Sequence, residues 1–279
     1  FSRDHLDYHG DMAAYLDAKL RLFSDLLTDG GTAVLNRDIK AFSRIDALCH
    51  GRGVAVTSFG EAEAADLRLL RRTPSPAGQE LLLRLDGREH RVFLPLVGAF
   101  QTMNALAALA LVARADGRPP ADYLEGLASL TGVPGRMQLV GHHRSGAAVY
   151  VDFAHTPDAL ATLLEALRPH VSGRLVCVFG AGGDRDPGKR PLMGATVLKG
   201  ADTAIVTDDN PRSEDPMVIR QAVLVGCPGA REIGDRGAAI QAGIEGLEAS
   251  DALVIAGKGH EPGQVIADKV LPFDDAAVA

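Results

Sequence analysis

Tryptophan is absent from the 279 residues, and the aromatic residues together make up only 5%. Little is left for the stacking platforms on which nucleic-acid bases sit. Positive charge is also short: 29 Lys and Arg face 36 Asp and Glu, a formal net charge of −7. A dedicated nucleic-acid or anionic-membrane binder would carry the opposite surplus, so neither partner is expected. The three cysteines, Cys49, Cys177 and Cys227, are far apart and show no CxxC or Cys/His zinc spacing. That excludes a disulfide framework and a structural zinc site, and it points to a reducing cytoplasm. No apolar run approaches the length of about eighteen residues that a membrane span needs. The sequence starts Phe1-Ser2-Arg3-Asp4-His5, without Met or an apolar stretch. No signal peptide is expected from such a start, and the natural polypeptide is expected to be longer.

What is present is material for packed cores: 46% hydrophobic residues against 23% charged. The length suits one large or two medium domains. Apolar residues recur at helical spacing over 11–27, and short β-like runs follow at 32–36, 54–59 and 81–85. The last is joined through Asp86-Gly87 to a run at 91–96, which predicts a hairpin. An Ala/Leu-rich helix is expected over 100–115 and another after Pro119-Pro120. The segment 132–137, Gly-Val-Pro-Gly-Arg-Met, breaks the pattern and predicts a boundary, with one domain over 1–135 and a second over 136–279. Beyond it, strands at 148–153, 174–179, 203–207, 231–233 and 252–256 alternate with helices at 157–170, 191–199, 215–225 and 238–248. Such alternation predicts an α/β fold with a mostly parallel, Rossmann-like sheet covered by helices on both faces.

In open α/β sheets ligands bind beyond the carboxyl ends of the strands. The segments that follow four of the predicted strands are unusually rich in charge. They are Ala154-His155-Thr156-Pro157-Asp158, the 180–190 stretch Gly-Ala-Gly-Gly-Asp-Arg-Asp-Pro-Gly-Lys-Arg, Asp208-Asp209-Asn210-Pro211-Arg212, and Gly257-Lys258-Gly259-His260-Glu261. Ordinary solvated turns carry Gly and Asp, but seldom so many Arg, Lys and His in register with strand ends. A polar cleft that handles phosphate or carboxylate groups is the preferred reading. The 183–190 stretch is a near-match to a phosphate-binding P-loop, although Arg190 stands where a Ser or Thr would hold Mg²⁺ and Pro187 removes a donor. As an anion-binding turn it offers Arg185, Lys189 and Arg190. Near the start, His5, Asp7 and His9 cluster, and Lys19 falls on the first predicted helix. On their own these fit helix-entry hydrogen bonding as well as metal ligation, and Lys19 fits a solvated charge.

Taken together these segments resemble the Mur ligases, ATP-dependent amino-acid ligases of peptidoglycan precursor synthesis, and more narrowly the MurE type. The resembling stretches are 2–10, Ala18-Lys19, Gly98 to Asn104, Gly135-Arg136-Met137, 151–158, 180–194, Asp209-Asn210-Pro211-Arg212 and Gly257 to Glu261. They stand in the family order across nearly the whole chain. The resemblance implies the later part of an ATP-binding central domain followed by the C-terminal domain that receives the amino acid. It implies that Lys19, carried as a carbamate, and His5 hold Mg²⁺, a cation that prefers oxygen. It places Asn104, Arg136, Asp152 and His155 around ATP, and Arg185, Asn210, Arg212, Gly257 and Glu261 around the incoming amino acid. The Asp-Asn-Pro-Arg form goes with meso-diaminopimelate rather than lysine. Arg212 can take the second carboxylate bidentately and Glu261 can pair with its ammonium, whereas lysine would leave Arg212 unpaired.

The implied reaction phosphorylates the glutamyl carboxylate of UDP-MurNAc-L-Ala-D-Glu with ATP, after which the diaminopimelate amine attacks the acyl phosphate. Positioning and charge neutralisation by Mg²⁺, Lys and Arg would carry the catalysis, with Lys189 on the transferring phosphoryl group. A monomer is expected. The family's Lys-Ser/Thr phosphate loop and its UDP-binding domain do not occur in this stretch, so the chain alone is expected to be a poor ligase or none. Two further readings stay open: a non-catalytic diaminopimelate-binding chain or half of a ligase acting in trans, and a P-loop phosphotransferase built on 183–190.

Overall fold

The computed structural model describes residues 11–279, which fall into two compact units. The first comprises residues up to Thr73, Glu80–Leu94 and Phe100–Ser129; the second comprises Pro74–Gln79, Pro95–Ala99 and Leu130–Ala279. The chain therefore does not divide at a single point.

In the first unit, Asp11 caps helix α1 (Met12–Arg21) by accepting from the Ala14 amide at 2.8 Å. The predicted helix over 11–27 does not run through unbroken: Leu22–Leu26 widens into a π turn. Arg52 explains where it stops, since its guanidinium donates to the carbonyls of Phe23 and Leu27 at 2.5 and 3.0 Å. Carbonyls that would otherwise be orphaned at a helix end are thereby satisfied. Strand β1 (Thr32–Asn36) crosses over through helix α2 (Phe42–Gly51) to pair in parallel with β2 (Ala55–Gly60). Leu20, Ala33, Leu35, Phe42, Ile45, Cys49 and Val54 form the core beneath them. The sheet continues through β3 (Leu67–Ser75), β4 (Gly78–Leu85) and β5 (Arg88–Leu94) in that order. Asp86 and Gly87, at φ of 48° and 77°, supply the two left-handed residues that a tight hairpin turn needs. Helix α3 (Ala99–Asp116) buries Ala105, Leu106, Leu109, Ala110 and Ala113.

The second unit is built on a six-stranded sheet in the order β10-β9-β8-β11-β7-β6. Strands β7 (Ala148–Asp152), β8 (Leu175–Phe179), β9 (Thr203–Val206), β10 (Arg231–Glu232) and β11 (Ala252–Ala256) run parallel. Edge strand β6 (Gln138–His142) is antiparallel to β7. Every residue of β7, β8 and β11 is buried, which is why these strands read in sequence as near-continuous apolar runs rather than as alternation. The helix Arg236–Glu245 and the C-terminal segment 273–278 cover one face through Ala239, Ile240, Phe273 and Ala276. Thr156 and Asp215 cap the helices Pro157–Leu167 and Pro216–Leu224, each with Pro in its first turn. Residues 132–137 are not an open tether. Gly135 and Met137 take φ of 69° and 43°, and the Met137 amide donates to Asp152 at 2.7 Å.

Candidate functional site

The carboxyl ends of β7, β8, β9 and β11 bring four loops of the second unit together. Asp152 ends β7 with both carboxylate oxygens engaged, accepting from the amides of Met137 and Ala154 at 2.7 Å each. Burial pushes its carboxyl above the usual range, against those two amides and the Arg136 charge. Arg136 lies over the Phe153 ring at 4.6 Å, and His155 meets the same ring edge-on with centroids 4.6 Å apart. A cation, two rings and His260, tilted 5.9 Å from Phe153, therefore gather at one corner. Gly135 and Gly259 permit this approach: a Cβ on Gly259 would stand 2.8 Å from that of Phe153, and one on Gly135 only 2.3 Å from the His260 nitrogen.

After β8 the 180–188 loop packs against the 207–212 loop. A Cβ on Gly183 would fall 1.9 Å from the Pro211 carbonyl oxygen. The loop is not a phosphate cradle, which corrects the P-loop expectation. Its amides turn onto protein acceptors: Gly183 donates to the Asn210 carbonyl, Asp184 to Glu214, Gly188 to Asp186 and Arg190 to the Pro187 carbonyl. Arg190, 3% exposed, is neutralised by Glu214 at 2.7 Å and does not join a cationic cluster. Arg185 is exposed on the loop, and Lys189 opens the helix Lys189–Gly200, donating to the His155 carbonyl at 3.2 Å. Burial holds the Lys189 ammonium below its ordinary range, opposed by the Asp209 charge.

The densest group lies where the β9 and β11 loops meet. Arg212 sits at φ 53° and donates through Nη1 to the Gly183 carbonyl at 2.8 Å, leaving its other guanidinium edge available. Asn210 is 4% exposed; its Nδ2 donates to Glu261 Oε2 at 2.9 Å and its Oδ1 accepts from the Val265 amide. Gly257, at φ 123°, leaves room for Asp209: a Cβ there would stand 2.5 Å from Oδ2 of that carboxylate. That Oδ2 is buried with no hydrogen-bond partner among the described residues. Lys258, which the sequence reading did not single out, is 0% exposed and reaches Asn210, Glu261 and Gly263. A cation edge, a carboxylate and a fixed amide presented together suit the zwitterionic head of an amino acid.

The structure thus brings Asn210, Arg212, Gly257 and Glu261 into one cluster, and Arg136, Asp152, His155 and Lys189 into a second. Asn104 and Lys19 belong to the first unit, where Asn104 donates to Gln101 at 3.2 Å and Lys19 rests over the Tyr15 ring at 4.8 Å. His5 lies outside the described residues. Among the described residues no three His, Cys, Asp or Glu side chains converge in the manner of a metal site. Lys19 as a carbamate would be a single ligand, so the described residues do not by themselves fit a complete Mg²⁺ site. No helix among them is long and apolar enough to cross a membrane.

Residues 1–112 match the Mur ligase middle domain and residues 135–259 the Mur ligase glutamate ligase domain. The chain is 57% identical over 277 residues to the UDP-N-acetylmuramoyl-L-alanyl-D-glutamate--2,6-diaminopimelate ligase of Caulobacter vibrioides, with 99% of this chain and 57% of that protein covered. The protein of the same name from Bradyrhizobium diazoefficiens is 49% identical, with 98% of this chain and 57% of that protein covered. A solved structure of such a ligase superposes with a TM-score of 0.72 at 39% identity, over 99% of this chain and 57% of that one. The chain spans little more than half the length of the curated relatives it matches.

Proposed function

The chain belongs to the Mur ligase family, and from that premise we propose that it is part of an ATP-dependent ligase that adds meso-diaminopimelate to UDP-MurNAc-L-Ala-D-Glu in the cytoplasm. The observation that carries the proposal is the cluster of Asn210, Arg212, Lys258 and Glu261 at the strand ends. Diaminopimelate differs from lysine by a second carboxylate beside its distal amine. Arg212 presents Nε and Nη2 to that carboxylate, because Nη1 is already taken by the Gly183 carbonyl. Glu261 is proposed to receive the adjoining ammonium, and Arg185, exposed on the 180–188 loop, to meet the remaining carboxylate.

ATP is the proposed phosphoryl donor, and Asn104, Arg136, Asp152 and His155 are the residues proposed to contact it. The Arg136–Phe153–His155 corner supports this for the second unit, since a purine ring is bound by flat faces and cations. Lys189, half-buried beside the His155 carbonyl, is proposed to stabilise the charge of the transferring phosphoryl group. Mg²⁺, with His5 and carbamylated Lys19 as proposed ligands, would neutralise phosphate charge when bound.

Replacing Arg212 by Ala in the full-length protein tests the reading. Loss of a bidentate, charge-assisted contact of about 1.5–3 kcal/mol should lower kcat/KM for diaminopimelate roughly ten- to a hundredfold and leave lysine almost unaffected. Steady-state kinetics with both amino acids would read it. Unchanged discrimination would overturn the substrate assignment.

A further inference from the structure

Lys258 is a fully buried cation at the centre of the proposed amino-acid site. Its burial is written into the backbone. Gly257 and Gly259 flank it at φ of 123° and 56°, conformations that L side chains rarely adopt, and these turn the lysine beneath the loop instead of outward. Its ammonium has three N–H groups and meets three acceptors from two segments: Asn210 Oδ1 at 3.2 Å from the loop after β9, and Glu261 Oε2 at 3.3 Å and the Gly263 carbonyl from its own loop. All three donors are spent on the protein, so none remains for a ligand.

The consequences fall on its neighbours. Asn210 Oδ1 accepts from both Lys258 and the Val265 amide, which fixes the amide orientation and aims Nδ2 at Glu261 Oε2, 2.9 Å away. Glu261 Oε2 thus takes two donors, from a side chain that is 37% exposed. Oε1 is the oxygen left to face a ligand. The cation also pairs with the Glu261 carboxylate within the loop.

We propose that Lys258 is a positioning and specificity-determining residue, which aims one oxygen of Glu261 at the distal ammonium and weakens the pull of Glu261 on a bare amine. This rests on the diaminopimelate reading above. A zwitterionic head satisfies Arg212 and Glu261 together. Lysine brings only an ammonium, which meets a carboxylate already paired with Lys258 and leaves the Arg212 guanidinium without its partner carboxylate. Without Lys258, Glu261 is free to rotate and carries its full charge, so diaminopimelate loses geometry while lysine gains attraction.

The test uses the full-length polypeptide, with kcat and KM measured for meso-diaminopimelate, L-lysine and ATP in the parent and in Lys258→Met. The expected result is a rise of about tenfold in KM for diaminopimelate and a similar fall in its preference over lysine, with KM for ATP within twofold. A lowered melting temperature with unchanged discrimination would make Lys258 a structural counter-ion only and would overturn the proposal, as would a change in KM for ATP alone. A parent that does not prefer diaminopimelate would remove the substrate reading and this inference with it. Should Lys258→Met fail to fold, Lys258→Met/Glu261→Gln, which removes both charges, is compared with Glu261→Gln alone. Equal discrimination supports action through Glu261; a further tenfold loss overturns it.

Discussion

The ion pair between Arg236 and Asp275 gives the sharpest stability prediction. Both side chains are 0% exposed, and the guanidinium meets the carboxylate bidentately, with Nε and Nη2 each 2.7 Å from an oxygen. Arg236 also donates to the Ala256 carbonyl at 3.1 Å and the Asp208 carbonyl at 3.3 Å. Asp275→Ala would strand a buried guanidinium with two weak backbone partners, which costs about 3–5 kcal/mol. For a unit of this size that corresponds to a melting shift of roughly 10 °C. The carbonyls that Arg236 grips belong to the end of β11 and the start of the loop after β9, from which Lys258, Glu261, Asn210 and Arg212 depart. Amide hydrogen exchange at 208–212 and 257–261 should therefore accelerate on the order of a hundredfold, ahead of the sheet interior. Arg168→Ala, which removes a half-exposed partner of Asp202, is the control and should cost about 0.5 kcal/mol. An Asp275→Ala loss no greater than the control would refute the reasoning, because a pair that matters must show the cost of the charge left behind.

Two other consequences are open to measurement. Gly183→Ala would force a Cβ to within 1.9 Å of the Pro211 oxygen and 3.2 Å of Ile219 Cδ1, so the Asp-Asn-Pro-Arg loop must move; a loss of about 1–3 kcal/mol in thermal unfolding and a raised KM for diaminopimelate are expected, and a variant with parent values would show that the loop yields freely. Asp251 is held below its ordinary 3.8 despite its burial, because Arg174 and the amides of Glu248 and Arg174 hydrogen-bond it. Its folded form binds a proton less readily than its unfolded form, so its contribution is complete above pH 3.8 and is lost as pH falls through the lower folded value. Asp251→Asn should cost about 1–2 kcal/mol at neutral pH and flatten the acid limb below about pH 4 in urea titrations; an unchanged limb would count against it.

Legibility in the sequence followed burial. The parallel strands of the second unit were readable to within a residue or two, because strands covered on both faces become Val/Ile/Leu runs, as in Ala252–Ala256. Strands with mixed faces were readable where the apolar alternation was clean, as in β1 and β4, and unread where charge interrupted it. In β3 the buried Leu67 and Leu69 alternate with Arg68 and are followed by Arg71, Arg72 and Pro74, a text that looks like a loop. In the hairpin of β12 (Gly263–Ile266) and β13 (Lys269–Pro272), β13 is wholly exposed and only Gly263 of β12 is fully buried, so no apolar pattern marks it. It is nonetheless held to the site, through the Arg212 amide on the Val265 carbonyl and Gln264 on the Asp209 carbonyl.

The same logic explains which parts of the candidate site could be found. The loops that follow the parallel strands were visible because strand ends are where an α/β sheet places its ligands, and the family resemblance singled out Asn210, Arg212, Gly257 and Glu261 within them. Lys258 and Asp209 lie in the same loops but carried no assigned role, since residue type alone assigns a Lys or an Asp in a loop to solvent. What reverses that assignment is backbone conformation. Two left-handed glycines around Lys258 turn it inward, and Gly257 leaves the space into which Asp209 points. The Gly-Lys-Gly triplet after a buried strand was the one available signal, and it is a physical one. A lysine between two residues free to take positive φ can be driven under its own loop, where its charge orders the groups that a ligand meets.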